Sequence, residues 1–396
     1  MRQSIGTIFL VFLRLGLTSF GGPVAHLGYF RGEFVERRKW MDDRTYADLV
    51  ALCQFTPGAA SSKVGIGIGM SLGGLPGALA AWLAFTAPSA IVLVLFGYGV
   101  TAYGEYLDSG VLHGLKIVAV AVVALAVWGM AKNLCPDAPR ASMAVGAALV
   151  FTLWPSSAGQ IGAIAAGALI GLLFLEDERS TPPIEMNIPS SRTAGGIALL
   201  LFFVLLAALP LLAAAYPGHA LAMFDSFYRT GALVFGGGHV VLPLIQSEVV
   251  PPGWVGNDAF LAGYGAAQAV PGPLFTFSAY LGTVSGPEPN GWLGALICLV
   301  AIFLPSFLIT VGVLPFWDDL RRVQKVRSAL IGVNAVVVGL LLAALYNPVF
   351  TSAIQGPGDF AFALVAFVLL AFWKWPPWLV VVLSGLGGWA VAALAA

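Results

Sequence analysis

Residues 12–26 read FLRLGLTSFGGPVAH and residues 227–241 read FYRTGALVFGGGHVV. In each, an apolar run carries one arginine six residues before a Phe-Gly-Gly break, and the two breaks lie 215 positions apart. Glycine frees the backbone and proline fixes φ, so SFGGP and VFGGGH interrupt a helix where an apolar span would continue. Two further breaks have the same character, TPGAASS at 56–62 and VPGPLFTF at 270–277.

The surroundings of these breaks decide the fold class. Of 396 residues, 59% are hydrophobic and 10% charged, with a mean hydropathy of +0.90. A soluble domain carries about 25% charged residues, so this chain cannot cover itself in polar surface. An all-α polytopic membrane protein is expected, because a helix of ~20 apolar residues crosses a bilayer. Full spans fit 75–103, 112–133, 141–155, 159–175, 195–216, 291–316, 328–346, 359–373 and 376–395. Shorter helices pair across the four breaks, 4–20 with 24–38, 45–56 with 58–72, 223–235 with 239–249, and 259–270 with 273–283. Non-helical backbone at membrane depth is tolerated where protein buries it or it lines a watery cavity. Each pair reads as a re-entrant hairpin, with Pro-kinked spans as the plainer alternative. Arg14 interrupts the first apolar run, which reads as retained structure rather than a signal peptide.

The chain is also an internal repeat. Trp40 matches Trp254, and Gln54 with Pro57-Gly58 matches Gln268 with Pro271-Gly272, all at an offset of 214. Pro88-Ser89 matches Pro305-Ser306 at 217. The division expected is an N-terminal repeat at 1–175, a linker with one unmatched helix at 176–216, and a C-terminal repeat at 217–396. Charge sets their orientation. The loop 31–44 is rich in Arg and Lys and 104–110 has none, whereas 246–258 has none and 318–327 is strongly basic. Corresponding loops therefore face opposite sides, as in inverted-topology repeats. With the N-terminus cytoplasmic, fifteen of the 19 Lys and Arg fall in cytoplasmic loops or at their edges; Arg14, Lys63, Lys116 and Arg229 fall within apolar segments.

Inverted hairpins bring their tips together near the midplane, and an arginine at that depth normally faces a pathway. Arg14 and Arg229 become symmetry mates, and helices that begin at the breaks direct free N–H groups inward. Gly21, Gly22, Gly58, Gly237, Gly238 and Gly272 let an oxyanion approach the backbone, and Ser19, Ser61, Ser62 and Thr276 add hydroxyl donors. Two guanidinium forks suit a dianion with several oxygens. Each residue has a structural alternative: the arginines as helix pins, Lys63 and Lys116 as snorkelling cations, His26 and His239 as hydrogen-bonding groups, Gln54 and Gln268 as ties between tips. The 19 Asp and Glu all read as loop or helix-end residues, which argues against a cation carrier. A dianion moving outward against a negative interior releases roughly 4.6 kcal/mol per 100 mV, so export needs no coupling ion.

Other features read as structural. Cys53, Cys135 and Cys298 form no CxxC pair, so neither a disulfide nor a metal site is expected. GIGIGMSLGG at 65–74 reads as small-residue helix packing, and WKWPPW at 373–378 as an interfacial anchor. No basic run suggests nucleic acid, no cofactor motif is visible, and small-residue faces permit a homodimer.

The stretches SFGGPVAHLGYFRGEFVERRKW, DLVALCQFTPGAASSKVGIGIG and GLPGALAAWLAFTAPSA resemble the first half of a chromate transporter. RTGALVFGGGHVVLPLIQSEVV, GWVGNDAFLAGYGAAQAVPGPLFTFSAYLG and LPSF resemble its second half. The resemblance covers most of the chain, in the two-domain long form. It implies a cytoplasmic-membrane protein that exports chromate and confers resistance, with sulfate as the look-alike ligand and no cofactor. The sequence departs at Ala59, where the second half has Pro273. A sulfate importer, a passive anion channel and a membrane-embedded reductase are the alternatives.

Overall fold

The computed structural model describes residues 3–20, 22–103, 109–154, 157–175, 191–235, 240–320 and 323–395. Its helices are α1 (Ile5–Thr18), α2 (Gly22–Phe30), α3 (Asp43–Phe55), α4 (Ala60–Tyr103), α5 (Ser109–Leu134), α6 (Ala138–Leu153), α7 (Ser157–Phe174) and α8 (Arg192–Ala215). The second half has α9 (His219–Leu233), α10 (Val241–Val249), α11 (Asn257–Ala267), α12 (Phe277–Val284), α13 (Gly291–Val313), α14 (Trp317–Leu320), α15 (Gln324–Ala344), α16 (Thr351–Ala353), α17 (Pro357–Ala371) and α18 (Pro377–Ala395). No strand occurs among the described residues, and the chain is an all-α membrane protein.

Local chemistry starts several of these helices. Ser4 accepts from Thr7 N at 3.1 Å, Asp42 from Thr45 N at 2.9 Å, and Asp137 from Arg140 N at 3.0 Å. Each side chain satisfies one of the free N–H groups of a first turn. Glycine shapes α4: Gly74 sits at φ 65°, ψ −155°, and the chain folds back there so that Gly69 and Gly77 touch. The expected division between 58–72 and 75–103 falls at this residue. Small residues in GIGIGMSLGG do serve packing, with Gly67 against Leu49.

Five helices are long and apolar enough to cross a bilayer: Ala60–Ala102, Gly110–Leu134, Arg192–Ala215, Gly291–Phe316 and Gln324–Ala353. Nine full spans were expected. The other four expected spans are helices as well, α6, α7, α17 and α18, of 16, 18, 15 and 19 residues. They form two helix pairs.

The halves interlock reciprocally. First-half α5 packs on α17 and α18, while second-half α15 packs on α6 and α7. The seams use small residues four apart. Gly110 and Gly114 meet Ser384 and Gly388, and Ser328 and Gly332 meet Gly167 and Gly171. A Cβ on Gly332 would overlap the Gly167 carbonyl. Gly332→Val is therefore expected to lower the detergent-unfolding midpoint strongly, by overpacking of several kcal/mol (~1–3 per forced contact). Gly146→Val, at a site with open space, is expected to leave the midpoint almost unchanged.

The 31–44 segment is laced by ion pairs. Arg31 bonds Asp43 at 2.8 Å and also Glu36, and Glu33 takes Arg37 at 2.8 Å and Arg38 at 2.6 Å. Burial pushes the Glu33 carboxyl up, but Arg38 and Arg37 more than offset this and hold it below the ordinary range.

Candidate functional site

Two hairpin tips dock into each other's half by the same contacts. Proline followed by glycine suits a turn that needs positive φ at its second central residue, and Gly58 and Gly272 adopt φ 107° and 98°. Gly58 N–H donates to Val234 O at 2.7 Å, and Gly272 N–H donates to Ser19 O at 2.9 Å. Val234 and Ser19 are the C-caps of α9 and α1, the arginine-bearing helices. A Cβ on Gly58 would lie 2.5 Å from Ser306 Oγ, and one on Gly272 would lie 2.9 Å from Ser89 Oγ. Each tip thus rests on the Pro-Ser step of the opposite half.

Ala59 has a structural account here. Its N–H donates to Ser306 Oγ at 2.9 Å, a bond that the matching Pro273, lacking an N–H, cannot make. On that side Ser89 Oγ instead donates to Thr86 O at 3.0 Å. Turn geometry survives the exchange, and only the serine's partner changes.

His26 ties the first glycine break to α4. It is fully buried, with Nε2 3.1 Å from Ser19 O and Nδ1 3.2 Å from Ser61 Oγ. A carbonyl only accepts, so Nε2 carries the proton and Nδ1 accepts from the Ser61 hydroxyl. Around this tie stand buried hydroxyls with no partner among the described residues: Ser19 Oγ, Ser62 Oγ and Thr86 Oγ1. Such groups are costly unless something bonds them. Gly22, Gln268 and Gly272 also line one cavity of about 140 Å³, with α5 residues Val122 and Leu125 and with Pro377.

Lys63 is entirely buried yet forms no ion pair with a described residue. Its ammonium donates to Thr56 Oγ1 at 2.9 Å, to Pro57 O at 2.9 Å and to Thr56 O. It caps the end of α3, and no described carboxylate faces it. Thr276 Oγ1 donates to Pro273 O at 2.7 Å, so it braces its own turn.

The arginines lie in different surroundings. Arg229 Nε bonds Asp225 at 3.0 Å, and its two terminal nitrogens meet Glu248 at 3.1 and 2.8 Å. Its charge is thereby committed to two carboxylates. Arg14 is exposed, shares its stripe with exposed Leu10 and Leu17, and makes no ion pair with a described residue. The expectation that every carboxylate lies in a loop or near a helix end does not hold for Asp225, which sits in the middle of α9 and is 5% exposed. Arg229, one helical turn on, makes that burial tolerable.

Lys116 buries its stem while its ammonium bonds the exposed Asp258 at 3.0 Å, joining α5 to α11 in the manner of a snorkelling lysine. Gln54 is exposed, unlike its mate Gln268. Trp378 is more than an interfacial anchor, since its ring lies 6.1 Å from that of Phe20 at the first break. Gly21, Gly237, Gly238 and His239 lie outside the described residues. Sequence reasoning missed Ser89 and Ser306 as tip supports, although their matched Pro-Ser steps were visible as repeat markers. It missed Asp225 and Glu248 as partners of Arg229; the four-residue spacing of Asp225 was the available signal.

Comparison with known proteins places these features. The family description "Chromate transporter" matches residues 6–172 and again 221–389. An uncharacterized transporter of Methanocaldococcus jannaschii is 28% identical over 397 residues, covering 97% of this chain and 94% of the relative. The chromate transport protein of Pseudomonas aeruginosa is 27% identical over 407 residues, covering 98% and 93%. An uncharacterized transporter of Bacillus subtilis is 32% identical over 166 residues, which is 41% of this chain but 82% of the relative. No solved structure matches. With both of its halves matched by one family description, the chain belongs to the chromate transporter family.

Proposed function

We propose that this protein exports chromate across the cytoplasmic membrane, binding the dianion near the midplane between two inverted repeats and so conferring resistance. The observation that carries the reading is chemical. At the docked tips, the buried hydroxyls Ser19 Oγ and Ser62 Oγ have no described partner and can donate, and Lys63 adds a cationic donor that no described carboxylate meets. A tetrahedral oxyanion supplies the acceptors and the negative charge this arrangement lacks. Gly22, Gly58 and Gly272 shape the cradle, while His26 and Ser61 hold it. The reciprocal docking supports a pseudo-two-fold relation between 1–175 and 217–396, and the loop charges support an in-plane axis with a cytoplasmic N-terminus. Outward movement of a dianion is driven by the membrane potential, at roughly 4.6 kcal/mol per 100 mV.

The test is chromate accumulation in everted membrane vesicles. Saturable accumulation that excess sulfate reduces is expected. Sodium-dependent uptake in the opposite sense would favour a sulfate importer, and flux without saturation would favour a channel. The arginines separate in the same assay. Arg14→Gln is expected to lower accumulation about tenfold (~1.4 kcal/mol) without loss of stability. Arg229→Gln is expected to destabilise by about 3–5 kcal/mol, since it strands two carboxylates, and Arg229→Gln with Asp225→Asn should recover part of that loss. Equal stability of Arg229→Gln and wild type would show that the ion cluster is weak.

A further inference from the structure

We propose that Asp225 is a proton-binding site whose proton travels with the oxyanion, so that one net charge rather than two crosses the membrane per chromate. The inference rests on the transport reading above and adds a second ligand to it.

The geometry is a cluster of one cation and two carboxylates between the legs of one hairpin. Asp225 Oδ2 takes Arg229 at 3.0 Å and Glu248 takes the same guanidinium at 2.8 Å. With both carboxyls ionised the cluster carries one net negative charge. Asp225 is 5% exposed, and its second oxygen, Oδ1, has no hydrogen-bond partner among the described residues. A buried carboxylate oxygen without a donor is unfavourable. A proton on Oδ1 removes the excess charge and leaves the Oδ2 bond to Arg229 in place.

The helices packed most closely on α9 are α8, α10 and α13, and none of their described residues but Glu248 offers the cluster a further charge. From α10 comes Glu248, and α13 has no Asp, Glu, Lys, Arg or His, only buried Cys298 as a titratable group. The sole charged residue of α8 is Arg192, which bonds Asp319 at 3.2 Å. On α9 itself, His219 bonds Ser285 at 3.0 Å and Tyr228 donates to Phe202 O at 2.9 Å.

The link to the anion site runs along the same helix. Arg229 lies five residues before Val234, whose carbonyl holds the Gly58 tip at 2.7 Å. A net negative charge on this leg opposes a dianion at the tip, and protonation removes the opposition. Proton and oxyanion therefore bind together rather than in turn.

The experiment uses purified full-length protein in proteoliposomes under imposed potassium diffusion potentials, with chromate and, because it stays doubly charged near neutral pH, sulfate. The potential of zero net flux is read against the anion gradient and against the pH gradient. Wild type is expected to shift by about 59 mV per tenfold anion gradient and about 59 mV per pH unit, the values for one net charge. Asp225→Asn is expected to shift by about 30 mV per tenfold gradient, with no response to pH. Wild type at about 30 mV without pH response overturns the proposal, as does Asp225→Asn that keeps the pH response. Wild type that moves neither anion sinks the transport reading instead, and infrared spectroscopy then decides the proton site without substrate. A protonated-carboxyl band in wild type that is missing in Asp225→Asn supports the site; its absence from wild type overturns it.

Discussion

Replacing Lys63 with methionine is expected to abolish chromate accumulation in everted vesicles, by at least about a hundredfold (~2.8 kcal/mol). Two losses combine. The ammonium donates to Thr56 Oγ1 and to the Thr56 and Pro57 carbonyls, and methionine leaves those buried acceptors bare at about 1–3 kcal/mol each. The same change removes a tip charge that no described carboxylate neutralises. Lys63→Gln separates the two effects, because it keeps donor hydrogens and gives up the charge. If the charge attracts the anion, glutamine fails in transport as methionine does, while its unfolding midpoint stays nearer wild type. If Lys63 only caps α3, glutamine transports and methionine does not. Wild-type accumulation by Lys63→Met would remove this residue from the site.

Alanine at either tip glycine is expected to be nearly as severe. Gly58 and Gly272 sit at φ 107° and 98°, where an L side chain costs on the order of 1–2 kcal/mol. The added Cβ would also press on Ser306 Oγ at 2.5 Å or on Ser89 Oγ at 2.9 Å, and overpacking adds about 1–3 kcal/mol. Each variant should therefore lose roughly 2–5 kcal/mol in detergent unfolding and lose transport with it. Gly58→Ala should be the worse of the two because its contact is closer. Gly196→Ala on α8, where nothing lies within 4 Å of a new Cβ, is the control and should gain slightly from helix propensity. Wild-type stability in both tip variants would mean that the halves do not interlock there.

Much of this protein was legible in its sequence because the deciding signals are local. Composition excludes a soluble fold, and α1, α3, α9 and α11 end where the four glycine and proline breaks were read. Serine and aspartate start helices at Ser4, Asp42 and Asp137. The constant offset of 214 to 217 marks the repeat. Ser19, Ser61, Ser62, Gly58 and Gly272 could be named as tip residues for the same reason: a break in an apolar run is visible within ten positions.

The partners of those residues were not legible, because nothing local selects them. Lys116 and Asp258 are 142 positions apart, and Ala59 and Ser306 are 247 apart; only packing makes them neighbours. Arg14 and Arg229 are equivalent by sequence, yet one is exposed and the other is held by Asp225 and Glu248. The position matching Asp225 in the first half is Leu10, and Glu33, which matches Glu248, bonds Arg37 and Arg38 instead. Sequence thus determined the solvent, the repeat and the location of the breaks. Tertiary structure decided which charges are spent on each other and which are left for a ligand, since that depends on which helices meet and not on the order of residues within any one of them.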